Sequence, residues 1–360
     1  MLTPVFELMV SCEANLAKIE RGSIAPVSRK DQIIMTPKQR FKDALNHKQP
    51  SNYVSFMEIE FHIYKEFIGR EPIVGYEFEK LSSSEKEKAF DHNAEVFIET
   101  AEKAGHDAIK DIGGFWEISP GKSAYLWLPD EKSRIDQVSA IKRAAGDKYF
   151  IISTSSGTMG IPDGEHLYEF VIDLYDNPED VKERNEKSLL NGIALQNKLL
   201  DAGADGILNA CDVAFNSGPF ISPQLMDEFF FPYFNRWVDS LKSQGIPSIW
   251  HTDGNIMPIM DRTLESGVTA IQCVDPLGGM DIVKLKKQVG NRLALIGNLD
   301  CSLLQTGPAE IIEAETKKII EGCNGSGGFV LCGCNAIFQG ISVENYMVFV
   351  NSRYKYGSTL

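Results

Sequence analysis

The stretch 247-PSIWHTDGNIMPIMDRTLESGVTAIQC-273 decides the fold. It opens on a short apolar run, 247-PSIW-250, which exits into a polar segment holding His251 and Asp253. The next residues, 256-IMPIMDRTLESG-267, have helical apolar spacing and stop on a glycine; 269-TAIQC-273 is then a second apolar run. Short apolar strands separated by one helix predict a parallel βαβ unit, because a parallel sheet is covered on both faces.

The same unit repeats in both directions. Strand candidates are 53-YVSFM-57, 107-DAIK-110, 149-YFIIS-153 and 206-GILNA-210 on one side, 293-LALIG-297 and 329-FVLC-332 on the other. Helical patterns at 84–105, 178–203, 224–245, 280–290 and 308–322 lie between them. Eight such units close a (β/α)8 barrel. An open, doubly wound sheet ranks second, since no G-x-G-x-x-G opens the first unit. The reading is therefore an α/β chain, a TIM barrel over residues 35–360 with an N-terminal helical extension over 1–34. Within that extension 4-PVFELMVSCEANLAKI-19 predicts an amphipathic helix, and 124-AYLWL-128 predicts a hairpin inserted after the second strand. Thr36 and Pro37 supply an N-cap and a first helical residue for 38-KQRFKDALNH-47.

The chain has 36 Lys+Arg against 50 Asp+Glu, a formal charge of −14. That balance argues against nucleic acid and anionic membranes as partners. Seven cysteines, five of them beyond residue 270, do not form a secreted disulfide framework. The expectation is buried free thiols in a cytoplasmic protein without a membrane span.

In a barrel of this kind the active site lies at the C-terminal ends of the strands. Those ends carry Glu58, Asp111, Ser153 to Gly157, Asn209, Asp212, His251, Asp253, Gln272, Asp275, Asn298, Asp300, Cys332 and Cys334. Carboxylates, one histidine and thiols converge, with almost no lysine or arginine. Such a ring suits a divalent metal better than a phosphate, and zinc accepts all three ligand types. His251 leads the metal-ligand candidates, with Cys334 or Cys332, and with Asp253, Asp212 or Glu228 to complete the set. A packed, hydrogen-bonded histidine is the competing reading. The loop 154-TSSGTMGIPDG-164 is either a ligand cradle or a plain βα loop, and Asp300 either a loop cap or a site residue. The aromatic cluster 229-FFFPYF-234 with Trp237 is expected in the core or in a homodimer interface.

From about Met35 to Gly357 the chain resembles the uroporphyrinogen decarboxylase superfamily, and within it the corrinoid-linked methyltransferase branch. The resemblance rests on 35-MTPKQRFKDAL-45, 177-NPEDV-181, 218-GPFISPQLMDEF-229, 251-HTDGNI-256, 281-DIVKLKKQVG-290, 295-LIGNLD-300 and 342-SVENYM-347, in order. It implies a (β/α)8 barrel. The decarboxylases carry an arginine-rich R-Q-A-G-R-Y segment near the first strand, where this chain reads 56-FMEIEFHIYKEFIGR-70. The methyltransferase branch implies zinc, held in thiol-alkylating members by H-x-C and a later G-C cysteine. His251 and Cys334 match two of those positions, and Asp253 stands at the third.

The function expected is a zinc-dependent methyltransferase. It would move a methyl group from a small O- or N-methyl substrate to a corrinoid on a partner protein. Asp253, Asn298 and Asp300 are assigned to catalysis. Glu58, Asp111, Ser156, Asn209 and Asp212 are assigned to substrate, and His251, Cys334, Glu228 and Cys332 to the metal. The alternatives are a methylcobamide:thiol methyltransferase, a decarboxylase-like lyase, and a non-catalytic barrel that binds a methylated metabolite or corrinoid.

Overall fold

The computed structural model describes residues 35–49, 52–112, 128, 130–159 and 166–358. The expectations for the 1–34 extension, for most of the 124–128 hairpin and for residues 160–164 of the loop after the third strand lie outside them. In chain order the elements used below are α1 (Pro37–Leu45), β1 (Ser55–Phe56), α2 (Ser83–Ala104), β2 (Ala108–Lys110), α3 (Glu131–Ala145), β3 (Phe150–Thr154), α4 (Pro178–Asp201), β4 (Gly206–Ala210), α5 (Pro223–Phe229), α6 (Phe231–Lys242), β5 (Ser248–Thr252), α7 (Met260–Ser266), β6 (Ala270–Cys273), α8 (Ile282–Val289), β7 (Ala294–Leu299), α9 (Cys301–Thr306), α10 (Ala309–Cys323), β8 (Phe329–Gly333) and α11 (Val343–Tyr356).

The eight strands are parallel and run β1-β8-β7-β6-β5-β4-β3-β2 around the sheet. Asp107 closes the seam between β1 and β2. Its N–H donates to the Phe56 carbonyl at 2.7 Å, and its Oδ2 accepts the Phe56 N–H at 3.2 Å. This is the TIM barrel that the strand count predicts.

Strand residues two apart point the same way, so alternate positions fill the interior. Ala108, Phe150, Ile152, Leu208, Ile249, Ala270, Ala294, Ile296, Val330 and Cys332 form that core, separate from the larger cluster between strands and helices. Helix α1 plugs its lower end: Thr36 Oγ1 caps Gln39 N at 3.2 Å, and the Phe41 ring packs 4.8 Å from Phe150. Gly206 makes room for Phe150, since a Cβ there would lie 2.9 Å from the ring.

The helix expected over 224–245 is two helices. Pro232 has no N–H to give, and the chain breaks at Phe230 between α5 and α6. The aromatic cluster proves to be core. Phe230 and Phe234 pack on Trp250 of β5 at 5.6 and 4.9 Å, and Phe234 stacks on Trp237 at 5.7 Å. Those rings are buried within the chain, so the argument for a dimer interface built on them falls away.

Under the barrel, Asp107 is fully buried and accepts from Arg40 Nε (2.9 and 3.0 Å) and Nη2 (2.9 Å) and from Arg353 Nη2 (3.3 Å). Arg353 also donates to the Val54 and Gly105 carbonyls, both at 2.8 Å. The last helix is thereby tied to the first strand.

Candidate metal centre and active site

His251 reaches the mouth by strand parity. Ile249 is an interior residue of β5, and the side chain two positions on points the same way. The ring is held from behind by Gln272, the corresponding residue of β6. Gln272 Nε2 donates to the carbonyls of Gly333 at 3.3 Å and Cys334 at 3.4 Å, which turns its Oε1 onto His251 Nδ1. With Nδ1 donating to that oxygen, Nε2 presents its lone pair to the mouth, the tautomer a metal-binding histidine needs.

That lone pair faces two carboxylates, Asp212 Oδ1 at 3.7 Å and Asp253 Oδ1 at 3.8 Å. One ligand atom from each of the three residues lies within 4.8 Å of the others. Three electron-rich atoms at that range repel one another unless a cation lies among them. Asp253 Oδ1 is buried and makes no hydrogen bond, while its Oδ2 accepts from Asn335 Nδ2 at 2.7 Å. Burial raises the Asp253 carboxyl above its ordinary range; neighbouring Asp212 adds to this and His251 opposes it. A buried oxygen without a hydrogen-bond partner, aimed at an imidazole lone pair, is placed to take a cation. The donor set of one imidazole nitrogen and two carboxylate oxygens fits zinc or a harder divalent ion.

The loops that carry these residues are stitched together. Asp212 Oδ1 accepts the Asp253 N–H at 2.9 Å, and Asp275 Oδ2 accepts the Gly254 N–H at 2.9 Å. Gly254 has φ +82°, and a Cβ there would sit 2.3 Å from the Ala214 carbonyl oxygen. Only glycine turns the chain so sharply behind Asp253.

Other expected residues fall elsewhere. Cys334 is buried among thiols. Its Sγ lies 3.9 Å from Cys301 Sγ, and hydrogen bonds from Cys273 and Cys301 lower the pKa of Cys334 while raising theirs. Cys332 is placed elsewhere: its Sγ faces Glu58 Oε2 at 3.5 Å, inside the barrel. Glu228 is exposed and paired with Lys182 at 3.0 Å. Among the described residues, the structure brings Asp212, His251 and Asp253 together as a group that could hold a metal ion, and places Cys334, Cys332 and Glu228 outside that group.

Of the remaining catalytic candidates, Asn298 braces the turn after β6, its Nδ2 donating to Val274 O at 2.7 Å. Asp300 caps α9, accepting from Ser302 N at 2.8 Å and Ser302 Oγ at 2.7 Å. Ser156 is exposed, and Asn209 is buried with Nδ2 on Thr158 Oγ1 at 3.2 Å. Glu58 and Asp111 border a cleft at the ends of β1 and β2. Gly333 N donates to Glu58 Oε2 at 3.0 Å, and burial pushes the Glu58 carboxyl up to about 8. Asp111 accepts from Ser153 Oγ, and burial likewise raises its pKa.

The sequence reading missed Lys110, Arg134 and Asn335, and gave Gln272 no role. Lys110, interior by parity with Ala108, stands in the mouth beside Asp111, and Arg134 lies near it, so the mouth is not free of cations. Asn335 holds Asp253, and only its place two residues beyond β8 hinted at that. Gln272 was counted in the ring but given no role, although its parity with Ala270 already aimed it inward.

Residues 160–356 match the family model "Uroporphyrinogen decarboxylase (URO-D)". Among curated relatives, the uroporphyrinogen decarboxylase of Pseudoalteromonas atlantica is 31% identical over 170 residues, 45% of this chain and 44% of that protein. A methylcobamide:CoM methyltransferase of Methanosarcina mazei is 28% identical over 171 residues, 46% of each chain. The matched region thus spans less than half the length of either relative. A solved methyltransferase from Methanosarcina mazei superposes with TM-score 0.69 at 19% identity, over 89% of this chain and 99% of that one. Barrel, mouth and matched segment agree, and the chain belongs to the uroporphyrinogen decarboxylase family.

Proposed function

We propose that the protein is a zinc-dependent methyltransferase of a corrinoid system, taking a methyl group from a small O- or N-methyl compound. The observation that carries this reading is the Asp212–His251–Asp253 cluster, with its oriented imidazole and its partnerless buried carboxylate oxygen. A divalent ion held there supplies Lewis acidity toward the heteroatom that bears the methyl. The chain's own residues do the rest. Gln272 fixes the His251 tautomer, Asn335 and the Asp212–Asp253 contact orient the carboxylates, and the walls of β1 and β2 receive the substrate. The acceptor is a cob(I)-type corrinoid on a separate cytoplasmic protein, in line with the named activity of the M. mazei relative. A decarboxylase acting on a polycarboxylate is disfavoured because the segment after β1 reads 56-FMEIEFHIYKEFIGR-70, without the arginine pair of the decarboxylases.

Transfer in the opposite sense, from a methylcobamide to a thiol, is the second reading, supported by that same relative's name. The all-oxygen and nitrogen ligand set favours the first, because thiolate-poor zinc is the more electrophilic.

Metal analysis of the purified chain, followed by absorbance titration of a cob(I) corrinoid with methyl donors, tests the reading. One zinc per chain, lost in Asp212→Ala and His251→Ala, with donor-dependent spectral change, is expected. Full zinc and full activity in His251→Ala would overturn it.

A further inference from the structure

Three thiols with no part in the reading above meet where β6, β7 and β8 end. Cys273 closes β6, Cys301 opens α9 and Cys334 follows β8, and all three are buried. Sheet register brings two of them together. Gly333 pairs with Leu299, and the Cys334 N–H donates to the Leu299 carbonyl at 2.8 Å. Cys301, two residues beyond Leu299, then faces Cys334 with the sulfurs 3.9 Å apart. Gly333 permits the approach, since a Cβ there would lie 3.3 Å from Cys301 Sγ.

The third thiol is held by strained backbone. Cys273 has φ +93° and Val274 φ +52°, left-handed values that a β-branched residue rarely adopts. Strain of this kind persists only where the surroundings over-determine it, and it gathers at working sites. Here it sets the Cys273 thiol beside both Cys334 and Asp253, hydrogen-bonded to each.

Both thiol neighbours donate to the Cys334 sulfur, which favours its thiolate. A thiolate beside a second thiol is the arrangement that a peroxide converts to a disulfide. An S–S bond is about 2.05 Å long, so the two sulfurs must close by about 1.9 Å. The movement falls on Cys334 and on the next residue, Asn335. Its N–H donates to Cys301 Sγ at 3.4 Å, and its Nδ2 holds Asp253 Oδ2 at 2.7 Å.

We propose that Cys334 and Cys301 are an oxidant-sensitive pair that a small peroxide closes into a disulfide, and that closure loosens the metal cluster through Asn335. The Cys334 thiolate attacks one peroxide oxygen and the O–O bond breaks, leaving Cys334 sulfenic acid and hydroxide. The Cys301 sulfur then attacks the sulfenic sulfur, whose hydroxyl leaves as water with the Cys301 proton. The two thiols lose two electrons and the peroxide gains them; a dithiol reductant reverses the change. Loosening of the metal rests on the cluster assigned above, whereas the disulfide does not.

Hydrogen peroxide added to the reduced full chain, then alkylation, digestion and mass spectrometry, tests it. Two of the seven thiols are expected to disappear first. They are recovered as a linked Cys301–Cys334 peptide pair, lighter than its reduced parts by two hydrogens and restored by dithiothreitol. Zinc affinity, read by competition with a chromophoric chelator, should fall about tenfold on oxidation, the scale of losing one outer partner of a ligand, and return on reduction. Asn335→Ala should weaken zinc binding by itself and remove the response to oxidation, with disulfide formation intact. Cys301→Ala should leave Cys334 as a sulfenic acid that dimedone traps, and Cys323→Ser should leave the linked pair unchanged. A link from Cys334 to Cys273 instead, equal oxidation of all thiols, or unchanged zinc affinity in the oxidised chain would overturn the proposal. A Cys301–Cys334 link in a chain that binds no zinc even when reduced would refute the metal cluster and uphold the thiol pair.

Discussion

Replacing Gln272 with leucine perturbs the metal centre while leaving all three direct ligands in place. Gln272 is 1% exposed, so the change adds no surface, and leucine fills much of the same volume. Lost are the acceptor on His251 Nδ1 and the donor shared by the Gly333 and Cys334 carbonyls. The imidazole can then rotate or take the other tautomer, putting a proton on Nε2 where the lone pair belongs. Outer partners of metal-bound histidines are each worth about 10–100-fold in metal affinity. That corresponds to about 1.4–2.8 kcal/mol. Two carbonyls losing a donor cost the fold about 1–3 kcal/mol besides. Zinc competition against a chromophoric chelator reads the first quantity, and urea unfolding of the metal-free chain reads the second. A folded Gln272→Leu protein that binds zinc as tightly as the parent would refute the assignment of His251 as an oriented ligand.

Three further outcomes are expected. Asp107→Ala strands the Arg40 and Arg353 guanidinium groups under the barrel, and should cost about 3–5 kcal/mol in urea unfolding. Glu58 has a folded-state value near 8 against an ordinary 4.5, so the folded chain holds the extra proton between them. Stability from this group is therefore present below pH 4.5 and lost as pH rises toward 8, at up to about 1.4 kcal/mol per pH unit. Glu58→Gln should flatten that part of the pH profile, and an unchanged slope would remove Glu58 as its source. Gly254→Ala must strain a φ of +82° and push a methyl into the Ala214 carbonyl, so weaker zinc binding is expected together with a lower melting temperature.

The barrel was legible because its signal is repeated. Eight apolar runs each ending in polar residues leave little else for the chain to form, and each strand's parity places its inward set. His251 and Asp253 could be picked out for the same reason. The ligand set was harder, because the sequence gives order along the chain while a metal needs closeness across loops. Cys334 fitted the family pattern by spacing alone, yet two thiols from β6 and α9 surround it. Asp300 fitted by position, but a carboxylate one residue before a helix is as often a cap, and Ser302 takes it here. Lys110 was overlooked because its strand is three residues long and the alternation there is too short to read.

Asp107 and Arg353 have a consequence for how the chain is made. Their contact spans 246 residues, and Arg353 reaches 299 residues back to Val54. The first strand therefore emerges from the ribosome long before its clamp exists. At about 5–20 residues per second, that wait is on the order of 15–60 s. Until α11 is released, the first two strands present a loosely paired seam to their surroundings, a template for pairing with other chains. Truncations or slow codons near the 3′ end of the message should then raise aggregation during synthesis without altering any residue of the mouth.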